Sequence, residues 1–299
     1  MTRTFLSLRR FLLPLLGLIL HTALPAYAEE CDDPNPLRLA LIPKKNLETL
    51  AAEYQPLIQL LEKTLARPVL LQSAPSYGTV IEALLAGRAD LAELGPAAYA
   101  MVKKRAPETV AFASFSLQKG PHTPSGNHYQ ALLIVRQERS FKKPEDLRGA
   151  TLSLTDPAST SGALIPSQIF AQRLGMPLHS HFKRVSYAGS HDRAILSVQR
   201  RQVDAAFVSS SRLDEAMRKG SVAPGEIAVL WKSDPIPYDP FVHRGRLCAP
   251  LAAKIRQAFL NNNEALSGMF HNLQMTGFIP VDDERYRDIR QLYDNQPPK

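Results

Sequence analysis

The chain has 299 residues, a formal net charge of +8 and two cysteines, a length that supports one large or two ordinary domains with real cores. No run of Lys and Arg alternates with aromatics, so the mild positive balance suits small anionic ligands and argues against nucleic acid as a partner. Two cysteines without a matching pair of histidines do not make a zinc site, and no metal or cofactor is expected.

Residues 1–28 read as a secretion signal. Arg3, Arg9 and Arg10 form a positive start, Phe11 to Leu20 an apolar stretch broken by Pro14, and Ala26-Tyr27-Ala28 a small-x-small cleavage site. Its removal takes away three arginines and no acid, lowering the charge from +8 to +5. Ala28-Glu29-Glu30 before Cys31 is not a lipobox, and no later stretch approaches the ~18 apolar residues of a membrane span. The mature protein is therefore expected to be exported and soluble in the periplasm. In that oxidising compartment Cys31 and Cys248 are expected to be bridged, two free thiols being the alternative.

Leu37 to Pro43 reads as a first strand. Asn46 to Leu65 follows as an amphipathic helix, with Leu50, Tyr54, Leu57, Leu61 and Leu65 on one face. Pro68 to Gln72 is a strand, Tyr77 to Leu85 a helix stopped by Gly87, Asp90 to Leu94 a strand, and a helix starts at Ala97 after Gly95-Pro96. This alternation predicts a mostly parallel sheet covered by helices. Val110 to Phe115 and His128 to Val135 read as further strands around a Gly/Pro/Ser-rich loop. The β-α-β order restarts at Gly149 and runs through Phe182 to Val185 and Val203 to Val208. Ile227 to Trp231 returns as a strand, and the tail from Ala249 reads as helical. Two such units predict two lobes, residues 29–128 plus 232–299 and residues 129–231, with the chain crossing near 129–135 and 227–231. Ligands in open α/β sheets bind at the carboxyl ends of strands and between lobes.

The stretch Asp156-Pro157-Ala158-Ser159-Thr160-Ser161-Gly162 joins the strand Gly149 to Leu154 to a helix running through Leu164, Phe170 and Leu174 to Gly175. The first N–H groups of a helix lack internal partners and carry the positive end of its dipole, so an anion is stabilised there. Ser159, Thr160 and Ser161 add hydroxyl donors, and Gly162 is expected to let a ligand approach the backbone. Gly189-Ser190-His191-Asp192 opens another helix, where His191 can donate to the same oxyanion. Tyr77 and Tyr129 sit at element ends and offer phenol donors. Trp231 to Phe241 is a strand end with a proline-set loop that holds Asp239 in place. Enzyme motifs are weak: there is no G-x-S-x-G and no H-E-x-x-H, Ser140-Phe141-Lys142-Lys143 fits S-x-x-K only in a charged loop, and nothing in the spacing of Ser161, His191 and Asp239 supports a triad.

Taken together, these stretches resemble the phosphate/phosphite/phosphonate family of periplasmic substrate-binding proteins of ABC transporters. The matching stretches, in the family's order, are Leu37 to Pro43, Pro75-Ser76-Tyr77, Tyr129 before Leu132 to Val135, Asp156 to Gly162, Gly189 to Asp192, Val203 to Ala206, and Trp231-Lys232-Ser233 to Asp239-Pro240. The placement of Cys31 and Cys248 looks like a subgroup of that family. The resemblance implies a two-lobed, Venus-flytrap α/β fold of the type II binding-protein class. It implies that Ser159, Thr160, Ser161 and His191 hold a phosphorus oxyanion, with Tyr77 and Tyr129 closing over it. Asp239 matches an acid that faces the ligand's amine in aminoalkylphosphonate binders. Those members carry a second acid just after the Val-Asp-x-Ala strand, where this chain has Ser209-Ser210-Ser211. Phosphate, phosphite and small phosphonates thus remain open as ligands. The expected role is delivery of the anion to an ABC permease, without catalysis, by a monomer. The alternatives are a ligand-sensing partner of a receptor kinase and a ferric-ion binder using Tyr77, Tyr129, His191 and Asp239.

Overall fold

The computed structural model describes Thr2, residues 31–72 and residues 74–295. The expected secretion signal and its cleavage site lie outside the described residues. In chain order, β1 (Leu37–Leu41) leads to α1 (Leu47–Leu65), whose start is capped by Asn46 accepting from the Glu48 and Thr49 N–H groups at 2.8 and 3.3 Å. Leu50, Tyr54, Leu57, Leu61 and Leu65 are buried along one face of α1, as their spacing requires. Next come β2 (Val69–Gln72), α2 (Tyr77–Leu85), β3 (Leu91–Glu93), α3 (Pro96–Arg105) and β4 (Val110–Leu117). A second series holds β5 (His128–Tyr129), β6 (Ala131–Arg136), β7 (Thr151–Leu154), α4 (Ala171–Leu174), α5 (Leu178–His181), β8 (Arg184–Tyr187), α6 (His191–Gln199), β9 (Ala205–Ser209), α7 (Ser210–Arg218) and β10 (Ile227–Lys232). The chain ends with β11 (Ile236–Pro237), β12 (Pro240–His243), α8 (Ala249–Leu260), α9 (Ser267–Leu273), β13 (Met275–Pro280) and α10 (Arg287–Asp294).

These strands build two main sheets. One has six strands in the order β13-β4-β12-β3-β1-β2, the other five in the order β10-β6-β9-β7-β8. Both sheets are covered on both faces. In β6, Leu133 and Val135 pack on one side with Leu152, Phe170 and Phe207, while Leu132 and Ile134 pack on the other with Ile195, Val198 and Val208. A strand buried on both faces reads as a continuous apolar run, as Ala131 to Val135 does. In the six-stranded sheet Phe115 stacks on Phe278 at 4.5 Å, beneath α1, α8 and α9.

The structure departs from the sequence reading in three places. Parallel pairing is confined to β1–β2, β1–β3, β7–β8 and β7–β9, and the other pairs of the two sheets are antiparallel. Crossover helices return strands in parallel, whereas β12, β13, β6 and β10 enter their sheets from elsewhere in the chain. His128 to Val135 is two strands, because Gln130 leaves the ladder to exchange hydrogen bonds with Ser210 at the start of α7. β5 then pairs with β11 in a small ribbon that lies, along the chain, between the two main sheets. The tail is not purely helical, since Met275–Pro280 forms the edge strand β13. Cys31 is bridged to Cys248 with their Cα atoms 4.8 Å apart, and Asp32 pairs with Leu247 beside the bridge. No helix among the described residues is long and apolar enough to cross a membrane.

Candidate functional site

The strand ends and helix starts meet at one small cavity, lined by Tyr77, Gly95, Ser159, Thr160, His191, Ser209 and their neighbours. Tyr77 is the first residue of α2, Gly95 caps α3, His191 opens α6 and Ser209 caps α7. Four helices of nine or ten residues therefore begin at the cavity wall. A fifth start belongs to the π-wound segment Thr160–Leu164, whose cap Ser159 accepts from the Gly162 N–H at 3.1 Å. Each start brings unpaired N–H groups and the positive end of a peptide dipole, an arrangement that stabilises negative charge. The cavity measures about 10 Å³, about the room needed by one ordered water, so the ligand it suits is compact.

Each wall residue is held by a specific partner. Thr160 Oγ1 accepts from the Ala97 N–H of α3 at 2.8 Å, so its own hydroxyl proton can be donated, with the Tyr129 phenol in reach. His191 Nδ1 accepts from the Ser209 N–H at 3.1 Å and lies 3.1 Å from Thr155 Oγ1. An Nδ1 that accepts puts the ring proton on Nε2, so the neutral imidazole is a donor there. Burial first, then Arg212 and Lys44, push the imidazole down to about 3, keeping it neutral. Burial and the charge of Asp239 hold the Tyr77 and Tyr129 phenols well above the usual tyrosine range, so both stay protonated. Ser161 Oγ and Arg212 Nε are buried without a hydrogen-bond partner among the described residues. Leaving such groups unpaired costs about 1–3 kcal/mol each.

Two lysines and an arginine bring full positive charge. Lys44, in the loop after β1, reaches Glu93 at 2.6 Å and Asp239 at 3.0 Å, and lies 5.3 Å above the Tyr238 ring. Burial would lower its pKa, but Glu93, then Tyr238 and Asp239, outweigh it and hold the ammonium well above its ordinary value. One ammonium shared between two acids neutralises Asp239 only in part, so burial, opposed by Lys44 and reinforced by Glu93, raises its carboxyl to about 6. Arg212 in α7 pairs with Asp192 at 2.8 Å and with Glu215. Lys45 reaches Glu53 at 2.5 Å and Glu215 at 2.8 Å.

Of the residues singled out in the sequence, Tyr77, Tyr129, Ser159, Thr160, His191 and Asp239 all line the cavity. Ser161 does not. It neighbours the Tyr129 phenol instead. The role expected of Gly162 also changes. A Cβ there would stand 2.3 Å from Thr155, so the glycine lets this segment press against the end of β7 rather than admitting a ligand. Nor do Ser161, His191 and Asp239 form a relay, since His191 Nδ1 is taken by Ser209 and Thr155, and Asp239 by Lys44. The cavity also holds Lys44, Arg212 and Tyr238, which the sequence reading passed over. Only the position of Arg212, three residues past the end-of-strand Ser209, gave a usable signal. A wider cleft of about 560 Å³ opens between Pro43–Glu48 and Gly189–Leu196. Asn46, Leu47, Glu48 and Arg193 are exposed on its walls, where the starts of α1 and α6 and the turn before α2 meet, so this cleft adjoins the small cavity at the starts of α2 and α6.

Residues 39–286 match the family model described as the periplasmic substrate-binding protein of phosphonate ABC transporters. The "Phosphonates-binding periplasmic protein" of Escherichia coli is 30% identical over 274 residues, covering 90% of this chain and 78% of its own. The "Phosphate-import protein PhnD" of Mycolicibacterium smegmatis is 28% identical over 280 residues, covering 87% and 86%. Among solved structures, a binding-protein component of an ABC phosphonate transporter from Pseudomonas aeruginosa superposes with a TM-score of 0.76 at 25% identity, covering 87% of this chain and 86% of that one. PhnD1 of Prochlorococcus marinus, solved with methylphosphonate, shares the fold with a TM-score of 0.74 at 17% identity, covering 86% and 96%. These likenesses, and the two sheets with a site where their helix starts meet, lead to one conclusion: the chain belongs to the phosphonate family of periplasmic substrate-binding proteins of ABC transporters.

Proposed function

We propose that this protein captures a compact phosphorus oxyanion (phosphate, phosphite or a small phosphonate such as methylphosphonate) and delivers it to an ABC permease, without catalysis. The observation that carries the reading is the convergence of four helix starts on one small cavity that also holds neutral His191 and two protonated tyrosines. Donors gathered at one point leave few acceptors for a cation's shell, and Asp239 is already engaged by Lys44. That weighs against ferric iron at Tyr77, Tyr129, His191 and Asp239. In this reading Ser159, Thr160 and His191 bind the oxygens directly, Tyr77 and Tyr129 donate from above, and Ser161 supports Tyr129. The lobes are residues 29–128 plus 232–299 and residues 129–231, and the ribbon of β5 and β11 is where they hinge. Residues 1–28 direct export to the periplasm.

Calorimetric and thermal-shift titration of ligand-stripped protein against phosphate, phosphite, methylphosphonate and 2-aminoethylphosphonate tests the assignment. At least one of the first three is expected to bind, and to bind at least about tenfold more tightly than the amine. Absence of binding by all four would remove the oxyanion reading.

A further inference from the structure

The cavity contains a buried ammonium of its own. Lys44 is 7% exposed and Asp239 5% exposed. Lys44 Nζ occupies the carboxylate end of the site, 3.0 Å from Asp239 Oδ2 and 2.6 Å from Glu93 Oε1, with Tyr54 donating to the other oxygen of Glu93 at 2.8 Å. A buried carboxylate is a strong attractor for a ligand's cationic group only while it lacks a cation of its own. Here the protein supplies that cation from the loop after β1.

A second hollow of about 30 Å³ shares Lys44, Ser211, Arg212 and Tyr238 with the first and runs on to Tyr54 and Glu215. These four side chains are a common wall. A ligand tail that extended from the first hollow towards the second would meet the Lys44 side chain and its charge. Arg212, on the same wall, is already paired with Asp192 and Glu215.

We propose that Lys44 is a specificity-determining residue: its ammonium takes the place of a cationic substituent on the ligand, so the site accepts phosphorus oxyanions without an amine-bearing tail. The inference rests on the oxyanion reading above and adds the substrate class to it. It also gives Asp239 a role: the carboxylate positions Lys44 rather than meeting the ligand's amine.

The test compares wild type with Lys44→Ala and Lys44→Gln, which remove the charge with and without the side chain's length. Methylphosphonate, 2-aminoethylphosphonate and propylphosphonate are the probes, the last matching the amine in length but uncharged. Wild type is expected to favour methylphosphonate over 2-aminoethylphosphonate by at least about tenfold, and Lys44→Ala is expected to shift that ratio towards the amine by at least another tenfold. Lys44→Gln should shift it the same way by less, since the path stays filled. A ratio unchanged within about threefold in a variant that melts cooperatively overturns the proposal. If neither variant folds, wild type decides. Propylphosphonate must then bind more tightly than 2-aminoethylphosphonate, and equal or reversed affinities overturn the proposal. Wild type that binds none of these probes nor phosphate or phosphite sinks the oxyanion reading itself, which is a separate outcome.

Discussion

Replacing Thr160 by alanine separates two jobs done by one hydroxyl. Its oxygen accepts from the Ala97 N–H at the start of α3, and the side chain lines a cavity where an oxyanion is proposed to sit. Thr160 is 1% exposed, so its hydroxyl is withdrawn from bulk water. A hydrogen bond to a charged ligand contributes about 1.5–3 kcal/mol, which is a loss of about 10- to 150-fold in affinity. The orphaned Ala97 N–H costs about 1 kcal/mol as a lost cap, lowering the melting temperature by about 2–4 °C in a chain of this size. Thr160→Ser keeps the oxygen and should stay within about threefold of wild type. Isothermal calorimetry with the tightest anion, beside a thermal melt, reads both effects. Equal affinity in wild type and Thr160→Ala, with cooperative melting in both, would refute the placement of the anion at this helix start.

His191 makes stability depend on pH in a definite direction. Its folded pKa of about 3 lies below the unfolded value near 6.5, so protonation favours the unfolded chain. The contribution is full above about pH 6.5 and is lost as pH falls towards 3; at pH 5 wild type should have lost about 2 kcal/mol relative to His191→Asn. Denaturant curves at pH 7 and pH 5 check this, and parallel pH profiles for the two proteins would contradict it. Gly162→Ala places a Cβ 2.3 Å from Thr155 and should destabilise by about 1–3 kcal/mol through overpacking; an unchanged melt would count against that packing. Protein made in the periplasm and denatured without reductant should show no titratable thiol, because Cys31 and Cys248 are joined. The bridge closes a loop across 217 positions of the chain, so reduction should cost about 5 kcal/mol in the chain-entropy picture; two thiols before reduction would sink it.

The elements that periodicity can report were legible. The α1 stripe, the β1–α1–β2–α2–β3 alternation and the helix starts at Tyr77 and His191 follow from spacing and capping residues close in sequence. What escaped depends on distant partners. β13 is a short strand held on β4 from more than 150 positions away, and its Gly277 and Pro280 look like a loop. The break at Gln130 comes from Ser210, a residue eighty positions later. The π-wound turns after Ser159 arise where Gly162 presses on Thr155, and no local pattern announces that. At the site, hydroxyls and a histidine beside helix starts were readable because the helix start is a local feature. Lys44 was not, since a lysine in a loop is ordinarily a solvated charge, and only Glu93 at the end of β3 and Asp239 in the loop before β12 turn it inward.

The pairing of every charge around the cavity bears on how fast a ligand arrives. Lys44 is matched by Glu93 and Asp239, Lys45 by Glu53 and Glu215, and Arg212 by Asp192 and Glu215. Opposite charges a few ångström apart cancel each other's field within a short distance, so these pairs project little potential to the mouth of the site. Encounter with an anion is then governed by diffusion and cavity geometry, and added salt, which screens long-range steering, has little left to screen. Discrimination begins only when the ligand touches the wall, where the peptide dipoles and hydroxyl protons are close enough to act.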